Sequence, residues 1–133
     1  MTTPSGSDWV VVDSTGWVEF LGNGPKADAF AKYFEHPQSV LLPTIIVYEV
    51  YKKILRERGQ NLAERFLSHA FAFHEREIPL DLPLAALAAK TSLETNLPMA
   101  DSVIYATARS RQAELVTTDS RDALGLASIR RQG

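Results

Sequence analysis

Three short apolar runs, separated by longer segments with helical spacing, constrain the fold most strongly. They are WVVVD (9–13), SVLLP (39–43) and AELVTT (113–118). Runs of this length that are rich in Val and Leu, and apolar without alternation, are typical of strands buried on both faces. Such strands occur in parallel sheets whose two faces are covered by helices. We therefore predict an α/β fold with a mainly parallel central sheet and helices on both sides.

The segments between these runs predict six helices. One is short and runs from Ser14 to the Gly22-Asn23-Gly24 turn, and the others cover 25–36, 44–59, 60–75, 82–96 and 98–112. Pro25 suits a first helical position, Thr44 suits a helix cap, and Gly59 suits a helix end. REIPLD (76–81) predicts an edge strand, because Pro79 cannot donate to a central ladder. ASIRRQ (127–132) predicts a last strand.

Length and composition indicate one domain with no membrane segment. The 133 residues suit a single domain over residues 8–133, preceded by a flexible tail at 1–7. The absence of Cys excludes disulfides and thiolate metal sites. No apolar run approaches the roughly 20 residues of a membrane-spanning helix, and the first residues lack a signal-peptide pattern. We expect a cytoplasmic protein. Its formal net charge of −2 means that any attraction to nucleic acid must be local or come from a metal.

Two acidic residues stand alone in apolar helices. Asp101 is the only charged residue between positions 97 and 108, and Glu49 is the only one between 41 and 51. An ionised carboxylate in such surroundings costs several kcal/mol unless something compensates its charge. Taken singly, Asp101 could stabilise a helix dipole, and Glu49 could pair with Lys53 one turn later.

Two further acidic residues follow predicted buried strands. Asp13 ends the first strand and Asp119 follows the strand at 113–118, so both fall at the carboxyl edge of the sheet, where α/β folds bind ligands. Taken singly, each would suit a helix N-cap, and Asp119 with Asp122 resembles a capping box. If all four acids converged, their mutual repulsion would require a cation. Oxygen ligands without Cys or suitably spaced His favour Mg²⁺ or Mn²⁺, which suits phosphodiester hydrolysis.

The order of these acids resembles the PIN-domain family, and specifically the VapC-type toxins of bacterial toxin–antitoxin pairs. The resemblance runs from about residue 9 to 131 and rests on VVVDSTGWVEFL, PTIIVYEVYKKIL, LPMADSVIYATAR and AELVTTDSRDAL. The family's four acids correspond to Asp13, Glu49, Asp101 and Asp119, and its supporting hydroxyl to Thr117. After Asp119 the family often has a polar or acidic residue and then an aromatic one. Here SRDALGL departs from that pattern, and Asp122 is the candidate for the extra acid.

The resemblance implies a three-layer α/β/α sandwich that hydrolyses RNA with Mg²⁺ or Mn²⁺. It also implies a homodimer, and a VapB-like antitoxin that occupies the active-site groove. As a hypothesis, Asp13, Asp101 and Asp119 hold the metal directly or through water. Glu49 is either a further ligand or the group that orients the attacking water, and the sequence does not decide between them.

A basic cluster follows Glu49 on the same predicted helix. Lys52, Lys53 and Arg56 are candidates for contacts to RNA phosphates, although such charge runs are more often a solvated helix face.

Other function classes fit the sequence less well. A phosphoacceptor receiver domain requires paired acids after the first strand and a Lys late in the chain. Here Asp13 is the only acid at that position, and Lys90 is the last lysine. A nucleotide-binding module lacks its Gly-rich phosphate loop. A catalytically inactive PIN-fold module that binds nucleic acid or protein stays open as the alternative.

Overall fold

The computed structural model describes residues 8–118 and the backbone of residues 129–131. The predicted tail at 1–7 lies outside this range. The described strands are β1 (Val10–Val12), β2 (Val40–Pro43), β3 (Glu77–Ile78), β4 (Glu114–Thr117) and β5 (Ile129–Arg131). They form one sheet in the order β3-β2-β1-β4-β5, and every described pair is parallel. The predicted parallel sheet is confirmed, and so are the edge strand before Pro79 and the last strand.

Six α-helices connect the described strands. They are α1 (Ser14–Leu21), α2 (Ala27–Phe34), α3 (Thr44–Arg58), α4 (Gln60–Phe71), α5 (Leu82–Thr95) and α6 (Met99–Ser110). The helix predicted from residue 25 begins two residues later, and the one predicted to reach 75 ends at Phe71. A one-turn 3-10 helix (His74–Arg76) then leads into β3.

The start of α3 differs from the predicted cap at Thr44. Thr44 is already the first helical residue, and the N-cap position belongs to Pro43, which makes no side-chain capping bond. Pro43 ends β2 and passes directly into the helix, because its fixed φ suits both extended backbone and a helix entry. The predicted end of this helix is confirmed, since Gly59 follows with a φ of 95°.

The strand order decides which helices cover which face. The chain moves from β1 through β2 to β3 and then crosses to β4 on the other side of β1. Because such crossovers are right-handed, α1 to α4 cover one face and α5 and α6 cover the other. The result is the three-layer α/β/α sandwich. The direction of winding reverses between β1 and β4, and this switch point is where open α/β sheets bind ligands.

The core lies on both faces of the central strands. Val11, Leu42 and Leu115 are buried in the sheet, and Trp17 and Phe66 are buried between the helices of the first face. On the other face α6 is buried almost all round, from Ser102 to Ala108, which explains its nearly continuous apolar sequence. Among the described residues, no helix is both long and apolar enough to cross a membrane.

Candidate functional site at the carboxyl edge of the sheet

Asp13 lies at the switch point, at the carboxyl end of the central strand. Its amide donates to the Val116 carbonyl at 2.9 Å, which extends the ladder between β1 and β4 by one step. Its side chain is completely buried. The alternative role foreseen for it is also present, because Asp13 is the N-cap of α1 and its Oδ1 accepts from the Ser14 amide at 2.7 Å.

Thr117 fixes the second oxygen of the same carboxylate. The Thr117 hydroxyl donates to Asp13 Oδ2 at 2.8 Å, and both residues are fully buried. The two residues are 104 positions apart in the chain and meet because β1 and β4 end side by side. The carboxylate is therefore held by donors on both oxygens, and the supporting role of Thr117 in a site stays a prediction.

Asp101 approaches the same edge from the second face. It is half-buried in the first turn of α6, where a carboxylate also interacts favourably with the helix dipole. Three residues separate the end of α6 from the start of β4 at the opposite edge of the sheet, and the helix is 12 residues, or about 18 Å, long. Its start therefore lies towards the carboxyl ends of the strands. Consistent with this, α6 contacts β1, β4 and α3.

Glu49 approaches this edge from the first face. It is half-buried on α3, in the second turn after that helix leaves the end of β2. It lines an open cavity of about 290 Å³ together with Ser14 and Thr15, the residues that directly follow Asp13. The structure thus brings the surroundings of Asp13 and the Glu49 carboxylate into one cavity.

The predicted basic cluster lines the same cavity. Lys52, Lys53 and Arg56 are exposed and contribute to its lining. Lys53 is paired at 3.1 Å with Glu57, one turn further along the helix. Arg56 contacts the same Glu57 carboxylate at 3.2 Å. The cluster is therefore both solvated and adjacent to the candidate site.

The pKa of Glu57 is lowered by hydrogen bonds from Lys53 and then Arg56. A lowered carboxylate pKa stabilises the fold above the pKa of the unfolded chain, and this contribution is lost as pH falls through the folded value. Because Glu57 is exposed, the pair is screened by salt and contributes little to stability.

Three residues around the cavity carry polar groups that the sequence argument did not single out. Ser14 and Thr15 follow Asp13, and the buried Thr15 hydroxyl makes no hydrogen bond within the described part of the chain. Tyr48 precedes Glu49 and is 57% exposed at the mouth of the cavity. The sequence shows that these residues are next to Asp13 and Glu49, but it does not show that α1 and α3 share a cavity.

Only some of the acids predicted to hold a metal lie within the described residues. Asp119 and Asp122 lie outside them. Within 8–118, no group of three or more Asp, Glu, His or Cys side chains is arranged to hold a metal ion. The donor chemistry that is present at this edge consists of carboxylate and hydroxyl oxygens, which are the ligands preferred by hard divalent cations.

Comparison with protein families gives one match that covers most of the chain. The sequence model of the PIN domain matches residues 10–127, which includes all four predicted acids and the whole described sheet up to β4. No curated protein is similar enough in sequence to count as a match.

Solved structures with the same fold are distant in sequence. A toxin–antitoxin complex from Klebsiella pneumoniae has a chain that superposes with a TM-score of 0.71 at 17% identity, covering 91% of this chain and 95% of that one. FitAcB from Neisseria gonorrhoeae superposes with a TM-score of 0.70 at 19% identity, covering 93% of this chain and 96% of that one. VapBC2 from Rickettsia felis, bound to a promoter DNA fragment, has a chain that superposes with a TM-score of 0.70 at 14% identity, covering 93% of this chain and 98% of that one. At these identities the likeness concerns the fold.

Proposed function

This chain belongs to the PIN domain family, and on that premise we propose that it is a metal-dependent endoribonuclease, the toxin of a toxin–antitoxin pair. The proposed reaction is hydrolysis of RNA. A water oxygen attacks phosphorus, the bond from phosphorus to one ribose oxygen breaks, and a proton ends on that leaving oxygen.

One observation supports this proposal most strongly: acids from three separate elements are directed to one edge of the sheet. Asp13 is fixed there by Ser14 and Thr117. Glu49 lines the cavity beside it, and α6 carries Asp101 to the same edge from the opposite face. Burying a carboxylate such as Asp13 among apolar strands is costly. A site that uses the charge gives a reason for an arrangement that helix capping alone would not require.

The proposed cofactor is Mg²⁺ or Mn²⁺, held by Asp13 and Asp101 together with Asp119. Such a cation supplies charge neutralisation at the phosphate and activation of water. Thr117 keeps Asp13 in one orientation through its hydrogen bond. Glu49 either completes the ligand set or orients the attacking water, and Asp122 is the candidate for a further acid.

The proposed partners are RNA and a VapB-like antitoxin that occupies the active-site groove, with a homodimer as the assembly and the cytoplasm as the location. All three solved structures named above have similar folds, and two of them are a toxin–antitoxin complex from Klebsiella pneumoniae and VapBC2 from Rickettsia felis. Lys52, Lys53 and Arg56 would meet RNA phosphates at the mouth of the cavity, where the local charge is positive although the whole chain is not.

The test is cleavage of a mixed pool of transfer and ribosomal RNA by the purified protein with Mg²⁺, with Mn²⁺ and with EDTA. The comparison variant is Asp101→Asn, with its fold checked by circular dichroism. We expect cleavage that needs the ion and is lost in the folded variant. Cleavage that survives both EDTA and Asp101→Asn would contradict the proposal. RNA binding without any cleavage in either ion would favour the catalytically inactive binding module.

A further inference from the structure

Tyr48 is the aromatic side chain nearest in sequence to the proposed active-site acids, and it is largely exposed. It directly precedes Glu49, and its side chain is 57% exposed. It lines the cavity that contains Glu49 and also a neighbouring shallow groove of about 410 Å³ along α3. The core does not cover this ring, which is therefore accessible to a ligand at the cavity.

Contacts along α3 hold the ring in place without covering it. Lys52 Nζ donates to the Tyr48 hydroxyl at 3.3 Å and lies 5.3 Å from the centre of the ring, within the range of a cation–π contact. The ordering of an aromatic ring before a ligand arrives reduces the entropy lost on binding. Tyr48 is therefore a preorganised flat surface beside a positive charge.

The next tyrosine on the helix is engaged elsewhere. The Tyr51 hydroxyl donates to Glu64 of α4 at 2.6 Å, and this hydrogen bond raises the pKa of Tyr51. Tyr51 and Leu55 form the apolar floor of the groove, and Lys52 and Arg56 lie along it. The groove thus combines an exposed aromatic face with two cations one helical turn apart.

We propose that Tyr48 is a stacking platform for one base of the RNA, adjacent to the phosphate that is cleaved, with Lys52 meeting the phosphate of that nucleotide. This inference rests on the proposed nuclease function and adds a residue that selects and positions the substrate. A single-stranded RNA offers both a flat base and an anionic phosphate in each repeat, which matches an aromatic ring with a cation beside it. The apolar helix of a protein partner would match the Tyr51 and Leu55 floor but would gain nothing from two cations without acidic residues of its own.

The experiment measures binding of fluorescein-labelled octauridylate, with Mg²⁺ present, to the full chain carrying Asp101→Asn to prevent cleavage. Tyr48→Ala, Tyr48→Phe and Tyr48→Trp are compared in that background. Phe71→Ala is the matched control, since Phe71 is an aromatic with 69% exposure that does not line the cavity or the groove. A second set of oligonucleotides carries one abasic residue at each position in turn.

We expect Tyr48→Ala to weaken binding about tenfold, in keeping with the loss of one stacked base. Tyr48→Phe and Tyr48→Trp should retain binding, and Phe71→Ala should leave it unchanged. In the protein that retains Tyr48, an abasic residue at one position should weaken binding about tenfold as well. In Tyr48→Ala the same abasic residue should cause no further loss of affinity. That non-additivity is the sign of a direct contact, which a merely structural role would not produce.

Equal binding by the Tyr48→Ala variant and by the protein that retains Tyr48 would overturn the inference, as would equal losses in Tyr48→Ala and Phe71→Ala. Loss of antitoxin binding in Tyr48→Ala with RNA binding intact would assign the surface to the protein partner instead and would also overturn it. Failure of the nuclease proposal is a separate result, because that would appear as the absence of ion-dependent cleavage by the unmodified chain.

Discussion

The Asp13 carboxylate carries two roles that are separable at its two oxygens. Oδ1 caps α1 through the Ser14 amide, and Oδ2 accepts from the Thr117 hydroxyl. The cap explains why an acid is tolerated at the end of a buried strand. The buried Thr117 hydroxyl of β4 has a separate effect: it fixes the rotation of the Asp13 carboxylate at the switch point.

Thr117→Val is expected to lower ion-dependent cleavage about 10- to 100-fold, which is the usual effect of removing a group that orients a metal ligand. The ion concentration needed for half-maximal cleavage should rise as well. Cleavage rates measured across a Mg²⁺ titration check both effects. Thr91→Val is the control, because it removes another buried hydroxyl. The Thr91 hydroxyl donates to the Leu87 carbonyl at 2.9 Å and does not contact Asp13. If the two variants lost activity equally, the effect would be one of stability alone.

Lys52 is expected to contribute electrostatic affinity for RNA. Lys52→Gln should weaken binding of single-stranded RNA and should reduce the slope of log affinity against log salt by about 0.7, the value for one phosphate contact. Fluorescence anisotropy over a salt series measures the slope. Lys90→Gln is the matched control, since Lys90 is an exposed lysine on α5. An unchanged slope in Lys52→Gln would place this lysine on an ordinary solvated face.

At the scale of elements, the position of α1 depends on a residue without a side chain. A Cβ added at Gly16 would lie 2.6 Å from Val12 and 2.7 Å from Phe30. Both neighbours are fully buried, so neither can move aside cheaply. Gly16 therefore lets α1 pack closely enough on β1 for Asp13 to cap the helix and face the site at once.

Gly16→Ala is expected to lower the free energy of unfolding by about 1 to 3 kcal/mol, the usual cost of overpacking a core. Urea denaturation followed by circular dichroism measures it. Arg65→Ala, at an exposed position of α4, should change stability by less than about 0.5 kcal/mol. A Gly16→Ala protein as stable as the unmodified chain would mean that α1 does not need this close approach.

Some of the secondary-structure elements could be predicted from the sequence and others could not. The Val-rich runs predict β1, β2 and β4, because strands buried on both faces leave a plain apolar signature. Pro79 correctly predicts that β3 lies at an edge. The predicted cap of α3 at Thr44 is wrong, because Thr44 and Pro43 are both reasonable at a helix start and only the backbone conformation distinguishes them. The bond between Thr117 and Asp13 could be anticipated only through the family resemblance, since no local pattern joins residues 104 positions apart.

At the scale of the whole molecule, the strand order determines where function is expected. The reversal between β1 and β4 opens the carboxyl edge beside Asp13, and the two helical layers deliver Glu49 and Asp101 from opposite faces. A chain with a formal net charge of −2 can then present a local positive rim through α3. The proposed site thus combines acidic side chains, suited to a cation, with basic side chains of α3, suited to a polyanion.

The central claim is that these acids together hold a divalent cation, and crystals grown with Mn²⁺ test it most directly. Anomalous diffraction from Mn²⁺ locates the ion independently of any assumption about its ligands. We expect an anomalous peak within coordination distance of Asp13 and Asp101 that disappears in Asp101→Asn crystals. Crystals of a preparation that cleaves RNA with Mn²⁺, yet show no peak among Asp13, Glu49 and Asp101, would contradict it.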